Sequence, residues 1–535
     1  MAARLTTYVV VAIVSATLIA GLIVGAQRDD SSGPVDLIIH NAHVYTADAH
    51  GTIAQAIAVR GNTILRVGSD REVMRYRRPQ TEVIDANGGA VLPGFNDAHA
   101  SLIASGLAQQ EVNFAGAATL DDVAERLTGW AETHPESAWI TGRGWIPSSF
   151  ADATKSQLDG IVADRPVVIM SQDRAAAWVN SAALRAAGIT RRTRTEASDI
   201  ERDRRGEPTG VLRGSALDLL RRSMPRPSRD DRAEALSTAL DDAPRHGITS
   251  VHDFVEQPSD IDLYKALRAD THAREDVRVY IGVPVAAGPG AAANLTDIAR
   301  EFPDDPLIKT GVAYVRAGEP AAELAKTVVA IDRQDWQVAV ETPDETSVHD
   351  ALHAFEAAAR TNTNRSADRR HRLEGAQDVN ADDLHAFKSG KWLAVLFPSE
   401  LAGAADDHQT GADQPSLDVL HWPARSLQSA GAHLAFGTDA PDGLVNPLAS
   451  IAAIVERHMA PDQELALKAA INAWTAGAAW ASFDERRKGT LEHGMLADFV
   501  VVSGDIFKMP PESIASATVD VTVIDGRVVY RRKTS

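Results

Sequence analysis

The strongest constraint on the fold is an alternation along the middle of the chain. Eight short apolar runs, at 90–98, 249–254, 277–285, 307–315, 337–341, 372–376, 392–397 and 434–439, are separated by stretches with helical patterning. Strands of this length alternating with helices predict βα units and a parallel sheet. Eight of them suit an α/β fold of the (β/α)8 TIM-like barrel type, with the active site at the C-terminal ends of the strands. The two ends of the chain read differently. "VDLIIHNAHVYT" and "AIAVRGNTILRVG" near the start, and "GMLADFVVVSGD" and "VTVIDGRVVY" near the end, alternate with period two and break at Asn41, Gly61-Asn62 and Asp525-Gly526. Two β-rich ends around one α/β middle predict a small composite β-sandwich assembled from both termini.

The expected organisation is therefore an N-terminal segment at 1–33, the N-terminal contribution to the sandwich at 34–92, the barrel at 93–485 and the C-terminal contribution to the sandwich at 486–535. Between the first and second barrel strands lies an insertion domain, expected at about 111–244. It opens with a helix whose apolar positions Leu120, Val123, Leu127 and Trp130 recur at three and four residues. The Arg-rich piece 191–205 reads as a solvated loop.

Residues 7–26, "TYVVVAIVSATLIAGLIVGA", carry no charge and are long enough to span a bilayer as a helix. Arg4 precedes them, and Arg28 is followed by Asp29 and Asp30. That bias orients the N-terminus inward and leaves the bulk of the chain extracytoplasmic. The run exceeds the usual signal-peptide core, so an uncleaved single-pass anchor is expected over a cleaved, secreted form. A net charge of −19 argues against nucleic acid as a partner. The absence of cysteine excludes disulfides, thiolate metal ligands and cysteine nucleophiles.

Chemistry enters at residues 90–102, "AVLPGFNDAHASL". A buried strand end is punctuated by Pro93-Gly94 and followed by a second short strand. This stretch resembles the signature "PGF.D.H.H" that opens the barrel of amidohydrolases, most closely the family 3 type. "AWITGRGW", "RPVVIMSQDRAAAWVNSAALRAAGIT", "HRLEGAQ", "AFGTDAP" and "GTLEHGMLADFVVV" extend the resemblance over nearly all of 35–530. It implies metal-dependent hydrolysis of amide or other non-peptide carbon–nitrogen bonds in a small-molecule substrate.

Carried over residue by residue, the resemblance makes His99 a metal ligand and Lys309 the counterpart of the barrel lysine. Glu341 stands where a histidine is usual. Asp439 is the aspartate that touches metal and shuttles the proton of the attacking water. Ser101 and Gly375 stand at two further ligand positions, which read histidine in the family. Trp178 and Asn180, in the insertion, are expected to shape the substrate pocket. His252 reads as a packing histidine. With these positions substituted, the expectation is an inactive or strongly divergent member. Lys309 would then pair with Asp439 or Glu341 across the barrel mouth. The alternative is an active enzyme with one divalent, zinc-like ion on a reduced His/Glu/Asp site.

Overall fold

The computed structural model describes residues 34–533 except 173, 197, 270–275, 289, 303–304, 363–367, 404–418, 440–445 and 457–460. The expected anchor at 7–26 lies outside the described residues. Among those described, no helix is long and apolar enough to cross a membrane.

Eight strands form one parallel sheet in chain order. They are β1 (Phe95–Ala100), β2 (Ile248–Phe254), β3 (Arg278–Pro284), β4 (Ile308–Val315), β5 (Gln337–Glu341), β6 (Arg372–Glu374), β7 (Leu393–Leu396) and β8 (His433–Phe436). β1 and β2 are buried along their whole length, as strands covered on both faces must be. Between them and the surrounding helices runs one continuous apolar core. It includes Val251, Ile281, Leu373 and Phe436 from the strands, and Val328, Phe355 and Leu427 from the helices.

The gap between β8 and β1 is closed by the residues just after β8. The Thr438 and Asp439 N–H groups donate to the His99 carbonyl at 3.1 and 3.0 Å. Thr438 also donates its hydroxyl and its N–H to the buried Asp97 carboxyl, at 2.7 and 3.1 Å. Gly437 permits this approach, because a Cβ there would stand 2.7 Å from the His99 nitrogen.

The two chain ends share one sheet. Its strand order is Arg527–Arg531, Val519–Ile524, Phe499–Val502, Ala90–Pro93, His43–Tyr45 and Ile53–Ala54. Facing it is a four-stranded sheet of Thr63–Gly68, Ala56–Arg60, Leu37–His40 and Glu82–Asp85. Leu37, Ile39, Ile57 and Val59 from the start of the chain pack there with Phe499, Val501, Val521 and Val523 from its end. The apolar run at 90–98 is divided where Pro93-Gly94 punctuates it. Ala90–Pro93 pairs with Phe499–Val502 in the sandwich, and only Phe95–Ala100 enters the barrel.

The insertion forms its own six-stranded mixed sheet, from Val112–Asn113 to Pro208–Arg213. It ends earlier than expected. The helix Arg229–Asp242 buries Ala235, Leu236, Ala239 and Leu240 in the barrel core, whereas the insertion's own cores extend only to Leu220. Apolar periodicity marks a buried helical face but does not say which core receives it.

The shared sheet yields a prediction. Deleting 489–535 removes Phe499, Val501, Val521 and Val523, each worth roughly 1.5–3 kcal/mol of burial. Hydrogen exchange of amides 37–60 then accelerates. Unchanged protection there would show that the N-terminal sheet stands without its C-terminal partner.

Candidate functional site

The C-terminal ends of the strands place His99, Glu374 and Asp439 together. On β1, strand alternation sends Asp97 and His99 to the same side. On β6 it does the same for Arg372 and Glu374. His99 Nδ1 lies 2.8 Å from Glu374 Oε2, and its Nε2 lies 3.5 Å from Asp439 Oδ1. The His99 ring is stacked on Phe254 at 4.3 Å between centroids and flanked by Phe397 and Tyr314. Asp439 faces the mouth, its side chain 45% exposed.

Arg372 fills the barrel interior beneath this group and is completely buried. Its guanidinium bonds Glu374 and the Ala98 carbonyl, donates to His252 Nδ1 at 2.9 Å, and lies over the Phe254 ring. Burial opposes charge on Glu374, but Arg372 and His99 overcome it and hold the carboxyl below its usual range. Burial likewise opposes charge on His99. The bond to Glu374, with the charges of Glu374 and Asp439, outweighs it and raises the imidazole. Asp439 is raised by burial first and by the like charges of Glu341 and Glu374. His252 is held well below its usual value by burial and by Arg372, which keeps it a neutral acceptor. The network is therefore a buried chain in which the Arg372 guanidinium and the His99 imidazole share the Glu374 carboxylate.

The other expected site residues fall in different places. Glu341 ends β5 at the same rim, where Oε2 accepts the Ala317 N–H at 2.9 Å. Lys309 is the second residue of β4, so it sits at the opposite end of the barrel. It pairs with Asp484 at 2.8 Å and donates to the Ser482 carbonyl at 2.8 Å. The expected pairing of Lys309 with Asp439 or Glu341 is thus not formed, because one strand length separates them; the His99 imidazole stands beside Asp439 instead. Trp178 is fully buried in the insertion core against Trp145 and Phe150, with Nε1 donating to the Thr154 carbonyl at 2.9 Å. Asn180 is buried and spends its amide on Val167, Ala183, Val162 and Arg165. Both build the insertion, and neither presents a free polar group to a ligand. Ser101 lies past β1 as the residue before helix Leu102–Gln109, with no side-chain cap bond. Gly375 has φ +93°, a left-handed conformation that a histidine would adopt only with strain.

A metal fits this donor set poorly. A catalytic zinc takes three protein ligands. Among the described residues no group of three His, Asp or Glu side chains is placed to hold an ion. Among the described residues only His99 Nε2 and Asp439 meet at the mouth, and the other His99 nitrogen is committed to Glu374. The residues that carry the network, Arg372 and Glu374, went unassigned in the sequence. The two-residue spacing within "HRLEGAQ" was the available signal.

These contacts can be tested at two carboxyls. Glu374→Gln leaves the Arg372 guanidinium as an uncompensated buried cation, so it costs about 3–5 kcal/mol in denaturant unfolding. It also lowers the His99 pKa, readable by NMR. Asp97 is pushed up by burial to about 7, so between about pH 4 and 7 the folded chain holds a proton that the unfolded chain has lost. Stability from this group falls as pH rises through that window. Asp97→Asn removes the slope, so its stability relative to wild type is higher at about pH 8 than at about pH 4.5. A constant difference would contradict the assigned shift.

The amidohydrolase family profile matches residues 82–530. The Bacillus subtilis protein named "Putative amidohydrolase YtcJ" is 28% identical over 543 residues, covering 92% of this chain and 99% of its own. The N-substituted formamide deformylase of Arthrobacter pascens is 27% identical over 543 residues, covering 93% of this chain and 98% of its own. A metal-dependent hydrolase from Pyrococcus furiosus, itself uncharacterised, shares the fold with a TM-score of 0.67 at 20% identity, over 88% of this chain and 99% of its own. Barrel, flanking sandwich and sequence profile agree, and this chain belongs to the amidohydrolase family, family 3 type.

Proposed function

We propose that this chain is a membrane-tethered, extracytoplasmic amidohydrolase-family protein. In this reading its barrel mouth binds a small molecule without supporting the family's two-metal hydrolysis. The carrying observation is the donor set at the mouth. His99 Nε2 and Asp439 are 3.5 Å apart, while Glu374 occupies His99 Nδ1. The rest of the family's metal geometry is replaced by Ser101, by the left-handed Gly375 and by Lys309 at the far end of the barrel. A small molecule would meet the carboxylates of Asp439 and Glu341 at the rim, above the aromatic rings of Phe254, Tyr314 and Phe397 that pack on His99. The formamide deformylase relative favours compact N-acylated ligands. The charge-free run at 7–26 supports the tether and the net charge of −19 supports a non-nucleic-acid role.

A second reading is a hydrolase holding one divalent ion on His99, Glu341 and Asp439. Asp439 favours it, because a raised, half-exposed carboxyl at the mouth suits a proton carrier. Elemental analysis of the full chain, purified without chelator, separates the two. The expected result is well under one zinc, manganese or iron per chain, with no turnover of N-substituted formamides or N-acyl amides after metal is added. One or two tightly bound ions per chain, with hydrolysis abolished by His99→Ala, would establish the hydrolase instead.

A further inference from the structure

The folded region of the chain begins beside a basic surface. Val35 is buried with Ile38, Ala56 and Ala58 against Val73, and Met74 and Tyr76 pack on the same cluster. Those last residues belong to the helical turns Asp70–Val73 and Met74–Tyr76. The next residues are tied to the same point: the Arg78 N–H donates to Thr81 Oγ1 at 2.9 Å, and that hydroxyl donates to the Val35 carbonyl at 2.6 Å. The inner side of this segment is therefore held on the first residues of the fold. Its outer side carries Arg71, Arg75, Arg77 and Arg78, all exposed.

None of these four arginines makes an ion pair among the described residues. The acidic side chains on the same turns are mostly engaged elsewhere. Asp70 accepts the Asn41 N–H, and Glu72 closes a capping box with Ser69, faces Arg66 and feels Arg75 only at longer range. Arg78 Nη1 donates to the Arg75 and Arg77 carbonyls at 3.2 and 2.9 Å. On a chain of net charge −19, four exposed arginines within eight residues, with only Asp70 and Glu72 as acids on the same turns, reverse the local sign.

Their position gives that reversal a partner. Between the end of the apolar run at Ala26 and Val35 lie residues 27–34. Fully extended, such a linker reaches at most about 30 Å. A tether this short keeps the arginines near the bilayer at high effective concentration. Basic side chains within a Debye length of an anionic lipid surface are attracted to it.

We propose that Arg71, Arg75, Arg77 and Arg78 form a surface that docks the folded region of the chain on the anionic phospholipid headgroups of the membrane that tethers it. The proposal rests on the membrane-anchor reading above. Docking fixes which side of the sandwich lies against the bilayer, and so the direction in which the barrel mouth opens.

The test uses the full chain in nanodiscs of phosphatidylcholine alone or mixed with phosphatidylglycerol, followed by hydrogen exchange. Amides 70–80 are expected to exchange more slowly in the mixed discs, by about fivefold for each arginine engaged. High salt and the R71Q/R75Q/R77Q/R78Q variant abolish the slowing, and R71Q/R75Q reduces it. Unchanged exchange in 37–60 and in the barrel shows that the variants are folded. Equal exchange in the two kinds of disc overturns the docking surface and leaves the anchor standing. Protection by soluble glycerol phosphate in phosphatidylcholine discs also overturns it, in favour of a free-phosphate site. Failure of the chain to enter either disc removes the anchor, and the docking surface with it.

Discussion

The buried bond between Arg372 and Glu374 organises the barrel. Both side chains are essentially sealed from solvent, and a charge is held in such a place only by a partner of opposite sign. The guanidinium meets three strands at once: Glu374 on its own β6, the Ala98 carbonyl on β1 and His252 on β2. These strands come from distant stretches of the sequence. Glu374 passes the constraint on by fixing the His99 ring and raising its pKa. His99 in turn aligns with Asp439, whose backbone N–H returns to the His99 carbonyl to close the barrel. Closure and candidate site are therefore one structure, and a change at Glu374 is felt in both.

The same network sets what the mouth offers chemically. A histidine bonded through Nδ1 to a carboxylate presents only Nε2 outward, and a metal site built on it needs further donors close by. Here the neighbours are aromatic rings and one half-exposed aspartate. The result is a histidine packed among buried aromatic rings, with one half-exposed carboxylate beside it and the Arg372 guanidinium beneath.

At the other end of the strands the barrel is joined to the sandwich. Arg278, the first residue of β3, bonds Asp498 and Asp525 from the C-terminal strands. Lys309 and Lys488 share Asp484 in the same region, and burial lowers Lys488 to about 8. The cations of this end serve cohesion between domains. The exposed arginines near Val35 have no such partner and face outward.

Much of the architecture was legible in the residues. The eight apolar runs, the β-rich ends and the long insertion follow from hydrophobic period and turn chemistry, which act locally. "PGFNDAHA", "HRLEGAQ" and "AFGTDAP" carried the family, and the losses at Ser101 and Gly375 could be read directly because a side chain's identity is local too. The tertiary structure alone decided where long-range partners lie. It packed Arg229–Asp242 into the barrel core and sent Lys309 to the far end of its strand. It also buried Trp178 and Asn180 within the insertion. Period places a residue on a face, but not at a height along a barrel or against a particular neighbour. The Arg372–Glu374–His99 chain joins residues more than 270 positions apart, and only the closed barrel brings them within hydrogen-bonding distance.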